Sequence, residues 1–328
     1  MPSQDNSLRE IEIKLSAKEK TLEKIVNNPV FNRYGNAIWQ QKKLLNQYID
    51  SADYQLTKAN VALRVRKDGE QYIQTLKSKG NSVGGFSARD EFDWYLNSSQ
   101  LDRSLLVSPY WPEKLHGFDK SSLMTIFSTD FVRQYAQFIW DVDGEQALIE
   151  VAVDQGTVKA LHQQTGICEL ELELKSGNAN TMLNFAIELA SRFPLIPSNL
   201  SKAERGYRLI NPDVYKKIMV GVPLVEGSFD DRVKYYLAAS QYYWESYNWQ
   251  PEPARLVSWV EALQNLCTLL KKQNIEELIS LLEPMLLDWK QIIEVDSKEW
   301  HKKVFEESDC TRLGVFLLSA SRWLLNRH

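Results

Sequence analysis

The 328 residues carry a net charge of −4, which argues against nucleic acid as the main ligand, because binding a phosphate backbone calls for a surplus of surface cations. Hydrophobic residues make up 44% and charged residues 25%; these values exclude a disordered or fibrous chain, and the length exceeds what one core usually fills, so two domains are expected. No apolar run approaches the roughly 20 residues of a membrane span, and MPSQDNSLREIEIK lacks the succession of a signal peptide, so the expectation is a cytoplasmic protein with no membrane partner.

From Glu10 onward, charged and aliphatic residues exchange places at every position, the two-residue period of a strand with unlike faces. Residues 10–15 form the first such stretch. A helix follows, with Ser16 and Glu19 spaced as a capping box and Leu22, Ile25 and Val26 as its apolar stripe. Further strands are predicted at 45–50, 61–67, 71–77, 87–96, 128–140, 145–154 and 167–175. Pro194 and Pro197 punctuate the chain, and the stretch from Asn211 to Asp230, with two prolines and two glycines, reads as a linker. Beyond it the spacing turns helical: Leu256, Trp259, Val260, Leu263, Leu266, Cys267 and Leu270 recur at three and four residues, as do Ile279, Leu282, Met285 and Leu286. The expected organisation is an α+β domain over 1–212 and an all-α bundle over 213–328. Tyr235, Tyr236, Tyr242, Tyr243 and Trp244 are expected in its core or in an exposed patch. Cys168, Cys267 and Cys310 form no Cys-x-x-Cys pair and read as small buried apolar residues.

The faces of the strands carry the functional argument. Glu10, Glu12 and Lys14 share one side of the first strand, Arg64 and Arg66 one side of the third, and Thr75 and Lys77 one side of the fourth. Arg89, Glu91 and Asp93 follow in the fifth, Glu150 and Asp154 in the seventh, and Glu169, Glu171, Glu173 and Lys175 in the eighth. A merely solvated face would be richer in Thr, Ser and Lys. A closed sheet with aliphatic residues outside, covered by helices, would gather these groups in a polar interior. Like charges 4 Å apart repel by about 4 kcal/mol at an effective dielectric near 20, so a set of glutamates there needs a positive partner. Oxygen ligands without His or Cys suit a hard ion, Mg²⁺ or Mn²⁺, and the arginine fork suits phosphate oxygens.

The motifs run in order: Glu10-Ile-Glu12-Ile-Lys14, YIDSADYQL from Tyr48, ALRVRK from Ala62, TLKSKG from Thr75, ARDEFDW from Ala88, TDFVR from Thr129, IEVAVDQG from Ile149, CELELELKSG from Cys168 and SKAERGYRL from Ser201. In this order the sequence resembles the CYTH superfamily, the triphosphate tunnel metalloenzymes, and among them bacterial inorganic triphosphatases. The resemblance implies an eight-stranded antiparallel barrel, a metal-dependent triphosphatase and inorganic triphosphate as substrate. It further implies that Glu10, Glu12, Glu169 and Glu171 hold metal, and that Lys14, Arg64, Arg66, Lys77, Arg89, Arg133, Lys202 and Arg205 bind phosphates. Glu91, with Asp154 as second choice, is expected to orient the attacking water. Lys202 and Arg205 lie after the last strand, in a segment expected to plug or lid the tunnel.

Same-fold alternatives are a thiamine triphosphatase and a class IV adenylate cyclase; a non-catalytic polyphosphate or nucleotide sensor is the alternative of another class. In the resembled family the C-terminal partner is often a conserved histidine alpha-helical domain. Here the tail has only His301 and His328 and is short for such a domain, so a structural role or a homodimer contact is expected of it.

Overall fold

The structure is a computed structural model that describes residues 8–32, 38–78, 81–83, 86–211, 227–294, 300 and 307–327. The strands are β1 (Leu8–Ser16), β2 (Gln40–Asp50), β3 (Val61–Asp68), β4 (Gln71–Ser78), β5 (Asn81–Val83), β6 (Phe86–Leu96), β7 (Met124–Val142), β8 (Glu145–Ala160), β9 (Gln163–Gly177) and β10 (Ile196–Pro197). Their antiparallel order is β10-β1-β9-β8-β7-β2-β3-β4-β6-β5, and β1 also pairs with β6. That last pairing closes eight strands into a barrel. Strand β1 makes the closure by dividing its length: Leu8–Ile13 pair with β6 and Glu12–Ser16 with β9.

All eight strands read from the sequence are present, several of them longer than the alternation indicated. Strand β7 begins at Met124 and β8 runs on to Ala160, because twist and closure keep hydrogen bonds going where the pattern weakens. The capping box proposed at Ser16 does not form. Helix α1 (Glu19–Val26) starts after Lys18 with no side-chain cap, and the Ser16 hydroxyl instead donates to the Ile196 carbonyl at 3.1 Å. Leu22 and Ile25 are buried as the stripe required.

The barrel's aliphatic outer face is covered in two places. Ile13, Leu15, Val151, Val153, Leu170 and Leu172 meet α1 and helix α3 (Ala179–Arg192). Opposite them, Leu63, Val65 and Leu76 pack on Leu56 of the single-turn α2 (Gln55–Lys58) and on Leu106, Trp111 and Leu115 of the β6–β7 connection. Burying each such side chain is worth roughly 1.5–3 kcal/mol, which fixes the charged face inward.

One mouth of the barrel is stoppered by helix α4 (Lys202–Ile210), which starts with a full capping box between Ser201 and Glu204. Tyr207 and Leu209 of α4 enter an apolar layer with Leu44, Tyr48, Phe127 and Phe131. The Tyr207 hydroxyl donates to Asp50 Oδ2 at 2.7 Å, tying the stopper to the end of β2. Gly206 lies so close to Phe127 that an added Cβ would sit 2.2 Å from its ring. Gly206→Ala, which would gain close to 1 kcal/mol of helix propensity in open solvent, is therefore expected to destabilise by about 1–3 kcal/mol in a urea titration.

Helices α5 (Phe229–Trp249), α6 (Pro253–Lys272), α7 (Glu276–Ile293) and α8 (Glu307–Leu325) bury Trp244, Trp259, Trp289 and the leucine stripes in one core. Trp244 is inside this core, and Tyr236 and Tyr243 pack against it. Cys267 and Cys310 are buried as expected, whereas Cys168 is only partly so. Helix α8 also reaches the barrel: Leu318 joins the core beneath α3, and a Cβ on Gly314 would lie 1.9 Å from the Leu195 carbonyl oxygen. Most of the sequence-read linker, together with His301 and His328, lies outside the described residues. No helix among the described residues is long and apolar enough to cross a membrane.

Candidate active site in the tunnel

The barrel interior carries charge in two groups. Cross-strand register brings the first together: Arg133 of β7 stands opposite Asp154 of β8, and Asp154 opposite Glu169 of β9. Arg133 donates to both Asp154 oxygens at 2.7 Å and also bonds Glu171. Asp154, Glu169 and Glu171 each offer an oxygen, and these oxygens all lie within 4.8 Å of one another. Into this set the stopper helix projects Lys202, whose Nζ is 2.6 Å from Asp154 and 3.0 Å from Glu171 and also pairs with Glu169. Arg205, one turn on, pairs with Glu169 at 2.9 Å. Asp154 and Glu169 are wholly buried.

Electrostatics show how tightly this group is balanced. Burial works to raise the Asp154 and Glu171 carboxyls, yet Arg133 and Lys202 prevail and hold Asp154 below, and Glu171 well below, the carboxylate range. Burial likewise opposes the charge on Lys202 and Arg133, and the carboxylates raise both nonetheless.

The second group lies toward β4 and β6. Lys77 bridges Glu10 at 3.1 Å and Glu91 at 2.5 Å, and Arg64 reaches Glu91 at 3.4 Å. Burial pushes the Glu91 carboxyl up; Lys77 opposes this and Glu10 adds to it. Thr75 donates to Asp93 at 2.6 Å across the same face. Glu12 and Lys14 stand 3.9 Å apart on β1, between the groups.

Arg66 differs from the other interior cations. Among the described residues it makes no ion pair; its Nε donates to the amide oxygen of Asn46 at 2.8 Å. Burial, then the neighbouring charges of Arg64 and Arg133, lower its pKa to about 10. The Nε of Arg64 is also buried without a hydrogen-bond partner. Arg66 thus adds, beside Arg64 and Arg133, a buried positive charge that no carboxylate among the described residues pairs, and Arg64 adds a buried unsatisfied donor, an arrangement suited to an anion.

The sequence-derived residues whose side chains are described face the tunnel, grouped somewhat differently from expectation. Lys14, Arg64, Arg66, Lys77, Arg133, Lys202 and Arg205 all take part in the interior network. Asp154 stands with Glu169 and Glu171, while Glu10 keeps company with Lys77 and Glu91, and Glu12 with Lys14. Arg89 pairs through its backbone with Glu10, and its side chain lies outside the described residues. Sequence reasoning passed over Asn46. It is 1% exposed, receives Arg66 and donates to Thr129 Oγ1 at 2.9 Å, so it fixes the guanidinium without neutralising it. Its place on the inward face of β2 was legible, but a search for charge does not register a neutral amide.

The CYTH domain model matches residues 8–207, all the way from the closing strand to the stopper helix. The chain belongs to the CYTH family. The inorganic triphosphatase of Haemophilus influenzae is 35% identical over 164 residues, a stretch that is 50% of this chain and 45% of that protein, so the chain spans about half the length of this curated relative. Among solved structures, a Hippeastrum protein described as an adenylyl cyclase with a dominant triphosphatase activity is 17% identical, covers 66% of this chain and all of its own, and gives a TM-score of 0.43. The Mimivirus capping-enzyme triphosphatase is 11% identical, with coverages of 55% and 87% and a TM-score of 0.30. The match to the CYTH model ends inside α4, so helices α5–α8 lie beyond it.

Proposed function

We propose that this chain hydrolyses inorganic triphosphate in its tunnel with the help of a divalent cation, Mg²⁺ or Mn²⁺. The observation that carries the reading is Arg66, which has no ion pair among the described residues, set beside Arg64 and Arg133 in the same tunnel as the carboxylates Asp154, Glu169 and Glu171. The triphosphatase relative is in keeping with it.

The all-oxygen donor set is of the kind a hard ion takes: Asp154, Glu169 and Glu171 would hold it in exchange for part of the pairing they make with Lys202, Arg133 and Arg205, with Glu10 and Glu12 within the same tunnel. When bound, the cation would supply neutralisation of charge on phosphate oxygens. The remaining work falls to side chains. Arg64, Arg66 and Arg133 grip the phosphate chain, and Lys14 and Lys77 add point charges along it. Such fixing and charge compensation account for most of the catalysis in phosphoryl transfer. Lys202 and Arg205 close the far end, and the apolar layer around Phe127 and Phe131 shuts out bulk water there. Water attacks the terminal phosphorus in line, the bridging P–O bond breaks, and phosphate and pyrophosphate leave. Glu91, held by Lys77 and Arg64, orients that water; its burial-raised carboxyl also makes it a better proton acceptor than a solvated one.

Phosphate release with Mg²⁺ or Mn²⁺, compared across triphosphate, ATP and thiamine triphosphate, tests the reading. Triphosphate is expected to be turned over fastest, and a lack of release from all three would leave a binding protein. Glu12→Gln keeps side-chain volume at a buried position and is expected to abolish metal-dependent release with the circular dichroism spectrum unchanged. Retained turnover would remove Glu12 from the ion's surroundings.

A further inference from the structure

The stopper helix α4 delivers Lys202 and Arg205 to the tunnel, but the segment leading into it, Ser198–Leu200, is not held by the barrel alone. The Ser198 amide, donating to the Lys14 carbonyl at 2.9 Å, ties it to β1. Further ties come from α5. Glu245 Oε1 accepts from the Ser198 hydroxyl at 2.8 Å, the Asn199 amide at 2.8 Å and the Leu200 amide at 3.3 Å. One helical turn earlier, Gln241 accepts from the Asn199 side chain at 2.7 Å and donates to the Pro197 carbonyl at 3.4 Å. At the other end of α4, the Arg208 guanidinium lies 5.8 Å from the Trp249 ring of α5.

We infer that helix α5 is a brace for the stopper, and that Glu245 is a positioning residue that holds Lys202 among Asp154, Glu169 and Glu171. The geometry gives the reason. A carboxylate that collects three donors from consecutive residues fixes the path of the chain at that point. Lys202 begins α4 two residues further on, after the Ser201 cap, so its Nζ can sit within hydrogen-bond distance of three carboxylates only if the helix starts where it does. Burial of Glu245 is tolerated because these donors and the nearby Arg208 compensate it in part. The helical region then has a task that needs no ligand of its own: it sets one wall of the tunnel. This inference rests on the proposed function only in taking Lys202 as part of the working site.

The test reads Lys202 directly. Full-length wild type, Glu245→Ala, Glu245→Gln and Ser198→Ala are treated briefly with an acetylating reagent, and modification of each lysine is followed by peptide mass spectrometry. Exposed Lys271 serves as the internal reference. In wild type, Lys202 is expected to react slowly. Glu245→Ala is expected to speed its acetylation at least fivefold relative to Lys271 and to lower kcat/KM for triphosphate about tenfold. Glu245→Gln, which keeps an acceptor in place, should restore most of the protection. Ser198→Ala removes one donor and little volume, so it reports in the same direction with a smaller change even if Glu245→Ala fails to fold. Wild-type acetylation of Lys202 in folded Glu245→Ala, or in Ser198→Ala should the former not fold, overturns the brace whatever the activity does. If no variant, nor the wild type, releases phosphate, the function fails while the labelling still decides the brace.

Discussion

Asp154→Asn is expected to lower phosphate release by about three orders of magnitude and to destabilise the protein by about 3 kcal/mol. Both effects come from breaking a buried pair while leaving its partner charged. Asp154 is fully buried, accepts two hydrogen bonds from Arg133 and pairs with Lys202 at 2.6 Å. An asparagine of the same shape keeps one acceptor and turns an NH₂ toward cations. Arg133 then loses its two-point anchor and Lys202 one of its three carboxylates, so a group proposed to grip phosphate and the stopper's charge both lose their place. The proposed ion loses one of three oxygens besides. Phosphate release and urea denaturation, measured side by side, check the result. Near-parental turnover would show that the Asp154 group is scaffolding alone.

Arg66→Gln is expected to separate the two quantities that Asp154→Asn moves together. The triphosphate KM should rise by roughly 100-fold, the worth of a charge-assisted, two-pronged contact, while stability stays within about 1 kcal/mol of the parent. Arg66 has a pKa lowered to about 10 by burial and by Arg64 and Arg133. A base whose pKa falls on folding resists the fold in its charged form, and that cost is present at every pH below about 10. Removing the charge relieves it, offset by the loss of the hydrogen bond to Asn46. Triphosphate should likewise raise the melting temperature of the parent and fail to do so in the variant at the same concentration. A large loss of stability in Arg66→Gln would mean that this guanidinium serves the barrel and not a ligand.

Much of the barrel was legible because its two faces differ in kind. The alternation of Glu10, Glu12 and Lys14 with Ile11, Ile13 and Leu15 states which side faces in, and the same holds for Arg64 and Arg66 against Leu63 and Val65. Residue type also led to most of the interior charges. What the pattern could not convey was neighbourhood. The grouping of Asp154 with Glu169 follows from the β8–β9 register, and the seat of Lys202 from a helix packed across a barrel end; neither leaves a local trace. Ser16 had the spacing of a cap and was taken by the Ile196 carbonyl, a competitor 180 residues away. Glu245 looked like any acidic residue on a helix until its three donors were brought to it by the fold.

The closing strand has a consequence for how the chain is made. Strand β1 leaves the ribosome well before its partners, which begin at Phe86 and Gln163. At about 5–20 residues per second, β1 waits on the order of ten seconds for its last neighbour, with an unpaired edge that invites aggregation. Glu10, Glu12 and Lys14 make that edge a poor template for self-association, so the charges that line the tunnel also protect the nascent chain. Pulse-labelling hydrogen exchange during refolding is expected to find the β1 amides among the last to be protected.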